Sequence, residues 1–151
     1  MEYFKASPDV VATVQEIATE HHKRLGGARI AVLMQDTAAK HHGKVVIATA
    51  SLPPARMKPL LDGTFAFVIC IAQLEWDDLS SEQRRAVVDH ELCHCAFGDD
   101  CKPRMKGHDY EEFAEVVARH GFWRKDLSEQ RLQGALFEQG ITVETLRAAG
   151  E

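Results

Sequence analysis

Apolar residues recur at three- and four-residue steps in some stretches of the chain and run almost unbroken in others. The first stripe is Val10, Val14, Ile17, His21 and Leu25, the spacing of one helix face. It opens on Ser7-Pro8-Asp9, a capping serine, a proline at the first helical position and an acid in the first turn, and stops at Gly26-Gly27. On this stripe His21 reads as a core or boundary residue. Three β-rich runs follow, over residues 28–34, 44–52 and 65–72. The last is apolar on both faces, which places it inside a sheet or beneath a helix. Residues 36–43 read as a loop whose pair His41-His42 is a solvated turn, while Pro53-Pro54, Pro59 and Asp62-Gly63 break the chain.

Beyond residue 79 the pattern turns helical again. Ser80 with Gln83 three residues later is a capping-box signature. Ala86, Val87, His90, His94 and Phe97 then keep helical spacing up to Gly98, the expected stop. Residues 99–107 read as a polar loop carrying Lys102, Arg104 and Lys106. Asp109 and Glu112 open a further helix along Phe113, Val116, Val117 and His120, ended by Gly121, with Phe122-Trp123 packing back on the core. Shorter helices are expected over 128–139 and 143–149. The order predicts an α+β fold, a small sheet packed against one motif-bearing helix.

Composition narrows this little. A chain of 151 residues, 45% hydrophobic, fits one domain over 1–151 with its own core. A net charge of −5 argues against a nucleic-acid coat, so nucleic acid is not an expected partner. The start Met1-Glu2-Tyr3-Phe4-Lys5 has neither the basic nor the apolar part of a secretory signal, and the run 65–72 is too short to span a bilayer. The expectation is a cytoplasmic protein with Cys70, Cys93, Cys95 and Cys101 reduced.

The chemistry sits in Val88-Asp89-His90-Glu91-Leu92-Cys93-His94-Cys95. His90 and His94, four residues apart, share one helix face and can grip one zinc ion per chain. Glu91 can reach a water on that ion without binding the metal, which is the arrangement that metal-assisted hydrolysis of a peptide or protein substrate requires. Each ring needs a partner for its other nitrogen, and the sequence names none. Cys93 and Cys95 read as small buried side chains beside the site. Tyr110, Arg119 and His120 are candidates for stabilising an oxyanion.

Catalytic zinc takes three protein ligands and keeps one position open. The third is expected to be His108, which follows Gly107 at the mouth of the next helix. Asp100, six residues after His94, is the runner-up, although the turn such a site needs at Phe97 has its glycine one residue later, at Gly98. Glu111, Glu112 and Glu115 are further alternatives, read equally as a solvated acidic face.

Residues 84–95, with Lys106-Gly107-His108-Asp109-Tyr110-Glu111-Glu112-Phe113 and Arg119-His120-Gly121-Phe122-Trp123, resemble the phage metallopeptidase domain family over about 28–127. The resemblance implies a zincin-like fold, zinc and peptidase activity, and His108 as a ligand agrees with it. A more distant likeness is to SprT-like metallopeptidases. The alternatives are a zinc-binding interaction module without turnover and a DNA-associated protein using the Lys102–Lys106 cations. Glu91 argues against the module, since binding alone does not require that acid.

Overall fold

The computed structural model describes residues 1–107, 114–121 and 123. The chain divides into two compact units, Met1–Lys106 and Gly107–Glu151. The first is a mixed α+β unit, as expected. Its sheet has the order β1-β2-β6-β5, built from β1 (Tyr3–Lys5), β2 (Ile30–Gln35), β5 (Ala48–Ser51) and β6 (Phe67–Ala72). β2 and β6 run parallel in the register Ala31↔Val68 and Leu33↔Cys70, while β1 and β5 add antiparallel at the two edges. All six residues of β6 are buried, so the doubly apolar run is a central strand covered on both faces.

Alternation along β2 and β6 splits the core in two. Ala31, Leu33, Val68 and Cys70 point to one face, where Met57 and Leu60 from a short 3-10 stretch (Ala55–Leu60) cover them together with Leu61, Tyr3 and Phe65. Val32, Met34, Phe67, Ile69 and Ile71 take the opposite face. The helical layer consists of α1 (Pro8–His21) and α3 (Ser81–His94), which pack on each other, α1 against β2 and α3 against β5. Val10, Val14 and Ile17 of α1 are buried as the stripe requires, and Arg85 of α3 reaches back to Glu16 and Glu20. His21 is a boundary residue, partly exposed.

Several local expectations change. The 36–43 loop contains β3 (Ala39–His41), which pairs with β4 (Lys44–Val46) across a tight turn. His42 and Gly43 at that turn both have positive φ, 49° and 77°, the backbone of a two-residue hairpin loop. The expected second run is thus β4 and β5, separated at Ile47. α2 (Gln73–Asp77) leads into α3, tied to it by Arg84, which lies over the Trp76 ring and donates to its carbonyl. α3 ends at His94, not at Gly98. Residues 95–97 are β7 (Cys95–Phe97), paired with β8 (Pro103–Met105) inside the stretch expected to be a loop. The polypeptide leaves the helix there because Arg24 and Lys106 supply donors for its last carbonyls.

In the second unit, α4 (Ala114–His120) ends at Gly121, whose φ of 68° and N–H bond to the Val117 carbonyl make the expected stop. The helices expected over 128–139 and 143–149 lie outside the described residues, as do residues 108–113 and Phe122. Among the described residues no helix is long and apolar enough to cross a membrane.

Candidate metal centre

α3 begins with the predicted capping box. The Ser80 hydroxyl accepts from the Gln83 N–H at 3.2 Å, and the Gln83 side chain accepts from the Ser80 N–H at 3.0 Å. This start fixes the phase of everything downstream. Residues 86–93 are buried without a break, with His90 at 7% exposure and Glu91 at 6%. The His-Glu-x-x-His motif occupies the final turn of the helix rather than its middle. A cation beside that turn meets the negative end of the helix dipole.

His90 and His94 come together. Their ring centroids lie 5.1 Å apart with the planes at 70°. Two imidazoles bound at about 2 Å to one tetrahedral zinc have centroids roughly 5 Å apart, so the pair fits a shared ion. The partner for the His94 ring, which the sequence could not name, is the Lys106 carbonyl, 2.6 Å from Nδ1. The Lys106 N–H in turn donates to the His94 carbonyl at 2.7 Å. A carbonyl can only accept, so Nδ1 carries the proton and the ring's lone pair lies on Nε2.

A second group of ligand-type atoms lies round the helix. His22, Asp89 and Cys93 are all buried, and their ligand atoms lie within 4.8 Å of one another, making this a candidate ligand cluster. His22 Nε2 stands 2.6 Å from Asp89 Oδ1, and Arg24 Nη1 stands 2.5 Å from His22 Nδ1. The helical stripe marks His21 and not His22, which lies just beyond the end of α1 in an irregular conformation (φ −128°, ψ 47°). No periodic pattern marks such a position.

All four cysteines are free thiols. Cys70, Cys93 and Cys95 are buried and Cys101 is exposed. Burial first, and the Glu91 charge second, push the Cys95 thiol up to about 12 against the opposing pull of Arg24. It therefore stays protonated and donates to the Glu91 carbonyl at 3.6 Å. Asp100 is exposed, and its carboxylate accepts from the Lys102 N–H at 3.0 Å within its own turn. Arg119 pairs with Glu115 at 2.8 Å along α4. His120 ends that helix. His108, Tyr110, Glu111 and Glu112 lie outside the described residues.

An α+β unit whose motif helix ends in two histidines, with a cluster of further ligand-type side chains beside it, is of the metal-binding class. The chain belongs to the family described as putative phage metallopeptidase, whose model matches residues 1–131. The match is wider than the 28–127 read from the motifs, and it takes in α1, His22 and Arg24. The family implies a metal cofactor and a hydrolase of the metallopeptidase type. No curated protein and no solved structure matches the chain.

Proposed function

We propose that this chain is a zinc-dependent peptidase of zincin-like fold. His90, His94 and His108 would hold one ion per chain, and Glu91 would be the proton carrier. The observation that carries the reading is the His90–His94 pair at 5.1 Å, with the His94 tautomer set by the Lys106 carbonyl so that Nε2 is the ligand nitrogen. The chain itself supports His108 as third ligand. Lys106 is hydrogen bonded to His94, and two residues of chain reach at most about 7 Å further. The Asp100 carboxylate, by contrast, is engaged in its own turn.

When bound there, zinc supplies a Lewis acid and makes a neighbouring water acidic enough to lose a proton near neutral pH. Glu91 follows His90 directly, so its carboxylate rises from the same turn as the two rings. It accepts the proton of the attacking water and delivers it to the departing amine nitrogen. At 6% exposure Glu91 exchanges that proton in a water-poor setting, where its charge acts strongly on the reacting groups. β5 is the edge of the sheet nearest α3, and an extended polypeptide adding to that edge as a further strand would pass beside the motif helix. An unfolded protein is thus the substrate to try first.

The test is hydrolysis of unfolded casein with and without chelator, beside zinc content for the wild type, His108→Ala and Asp100→Ala. The reading expects chelator-sensitive cleavage, and loss of tight equimolar zinc in the His108 variant alone. Zinc retained by His108→Ala and lost by Asp100→Ala would move the third ligand to Asp100.

A further inference from the structure

We infer that His22 and Arg24 are positioning residues for the motif helix. They clamp the segment from Asp89 to Cys95 and thereby set where the two histidine rings stand. The inference rests on the reading of His90 and His94 as zinc ligands.

The contacts require one protonation pattern. The Arg24 guanidinium can only donate, so His22 Nδ1 accepts from it and Nε2–H donates to the Asp89 carboxylate. One neutral tautomer satisfies both bonds. Both ring nitrogens are then committed, which removes His22 as a metal ligand and leaves Asp89 and Cys93 short of a ligand set. The side chains of His22 and Asp89 have no exposure at all, and a satisfied hydrogen bond in so dry a place holds its partners firmly. The other terminal nitrogen of the guanidinium, Nη2, donates to the carbonyls of Leu92 at 3.1 Å and Cys95 at 3.3 Å. The Leu92 carbonyl lies in the last helical turn, where it also accepts from the Cys95 N–H, and the Cys95 carbonyl is the first beyond the helix.

The clamp is short and stiff. His22 and Arg24 bracket the start of a single 3-10 turn, Lys23–Leu25. That turn is closed by the Leu25 N–H to the His22 carbonyl and anchored on α1 by the His22 N–H to the Ala18 carbonyl. It grips α3 at residues 89 and 92 and the chain just past the helix at 95, interleaved with His90, Glu91 and His94. At about 100° per residue, Asp89 lies on a different face from His90, so the clamp acts from behind the metal-facing side. Rotation or sliding of α3 would break the Asp89 bond and both carbonyl bonds together.

The test uses the full 151-residue chain. Zinc affinity is measured by competition with a chromogenic chelator, and thermal unfolding is followed on the metal-free protein. His22→Phe should weaken zinc binding about ten- to a hundredfold, the range found when residues supporting metal ligands are altered. His22→Gln should stay within about threefold of wild type, because its amide still offers Asp89 a donor and Arg24 an acceptor. Arg24→Gln should also weaken binding, and it decides the matter if His22→Phe fails to fold. A folded Arg24→Gln protein with a lowered melting temperature and wild-type zinc affinity would reduce the clamp to ordinary packing and overturn the inference alone. Zinc that survives His90→Ala and is lost in Cys93→Ala would place the ion in the buried cluster, and a wild type that takes up no zinc would leave nothing to position. Either of those results overturns this inference and the function it rests on.

Discussion

Two sides of α3 carry nearly the same kinds of side chain. On one, His90 and His94 stand 5.1 Å apart, with the Lys106 backbone carbonyl on His94 Nδ1. On the other, His22, Asp89 and Cys93 gather their ligand atoms within 4.8 Å. Proximity alone would rank the second group as highly as the first. The difference lies in what already occupies the ring nitrogens. A carbonyl on Nδ1 prepares the opposite nitrogen for a metal, whereas a carboxylate on one nitrogen and a guanidinium on the other use up the His22 ring.

Changes on the two sides should therefore have different consequences. The largest effect is expected from Glu91→Gln, which should lower peptide hydrolysis by about two to four orders of magnitude while zinc content stays at one per chain. Equal turnover by mutant and wild type on any substrate the wild type cleaves would remove Glu91 as the proton carrier. Cys93→Ala should leave zinc content unchanged and cost on the order of 1 kcal/mol of stability, read by denaturant unfolding. Ser80→Ala, at the far end of the same helix, should cost a similar amount through loss of the cap.

Those helix features were also the most legible in the sequence. The capping box of Ser80 and Gln83, the stripe of Val10, Val14 and Ile17, and the doubly apolar run now seen as β6 all express a local pattern, and each forms where the pattern put it. β1, β7 and β8 are three residues each, too short for alternation to declare itself. The end of α3 at His94 was hidden for another reason. Phe97 keeps helical spacing, but the donors that close the helix earlier come from the Arg24 guanidinium and the Lys106 N–H, 68 and 12 residues from their partners Leu92 and His94. His22 likewise gains its meaning only from Asp89, 67 residues away. The motif residues were legible and their supports were not, because supports act across the fold.

Smaller effects concern ionisation. Burial raises the Cys70 thiol from 9.0 to about 11, and burial with the Glu91 charge raises Cys95 to about 12. A raised thiol contributes stability that is complete below about pH 9 and is lost as pH climbs through 11 to 12. Thermal melts should fall over that window, and less steeply in Cys70→Ala. In native protein at pH 8 an alkylating reagent should label Cys101 quickly and the other three only after unfolding. The smallest effect belongs to Asp62, held below the ordinary carboxylate range by its hydrogen bond and ion pair with Lys5. Its contribution is present at neutral pH and is lost as pH falls through that lowered value, so Lys5→Met should slightly flatten the acid limb of a stability curve.

In the proposed function the metal sits on the His90–His94 side of the helix. X-ray absorption at the zinc edge of the loaded protein reads the ligand atoms directly. A metal on that side predicts a shell of nitrogen and oxygen at about 2.0–2.1 Å with imidazole scattering and no sulfur. A zinc–sulfur distance of about 2.3 Å would put the ion against Cys93 and contradict it.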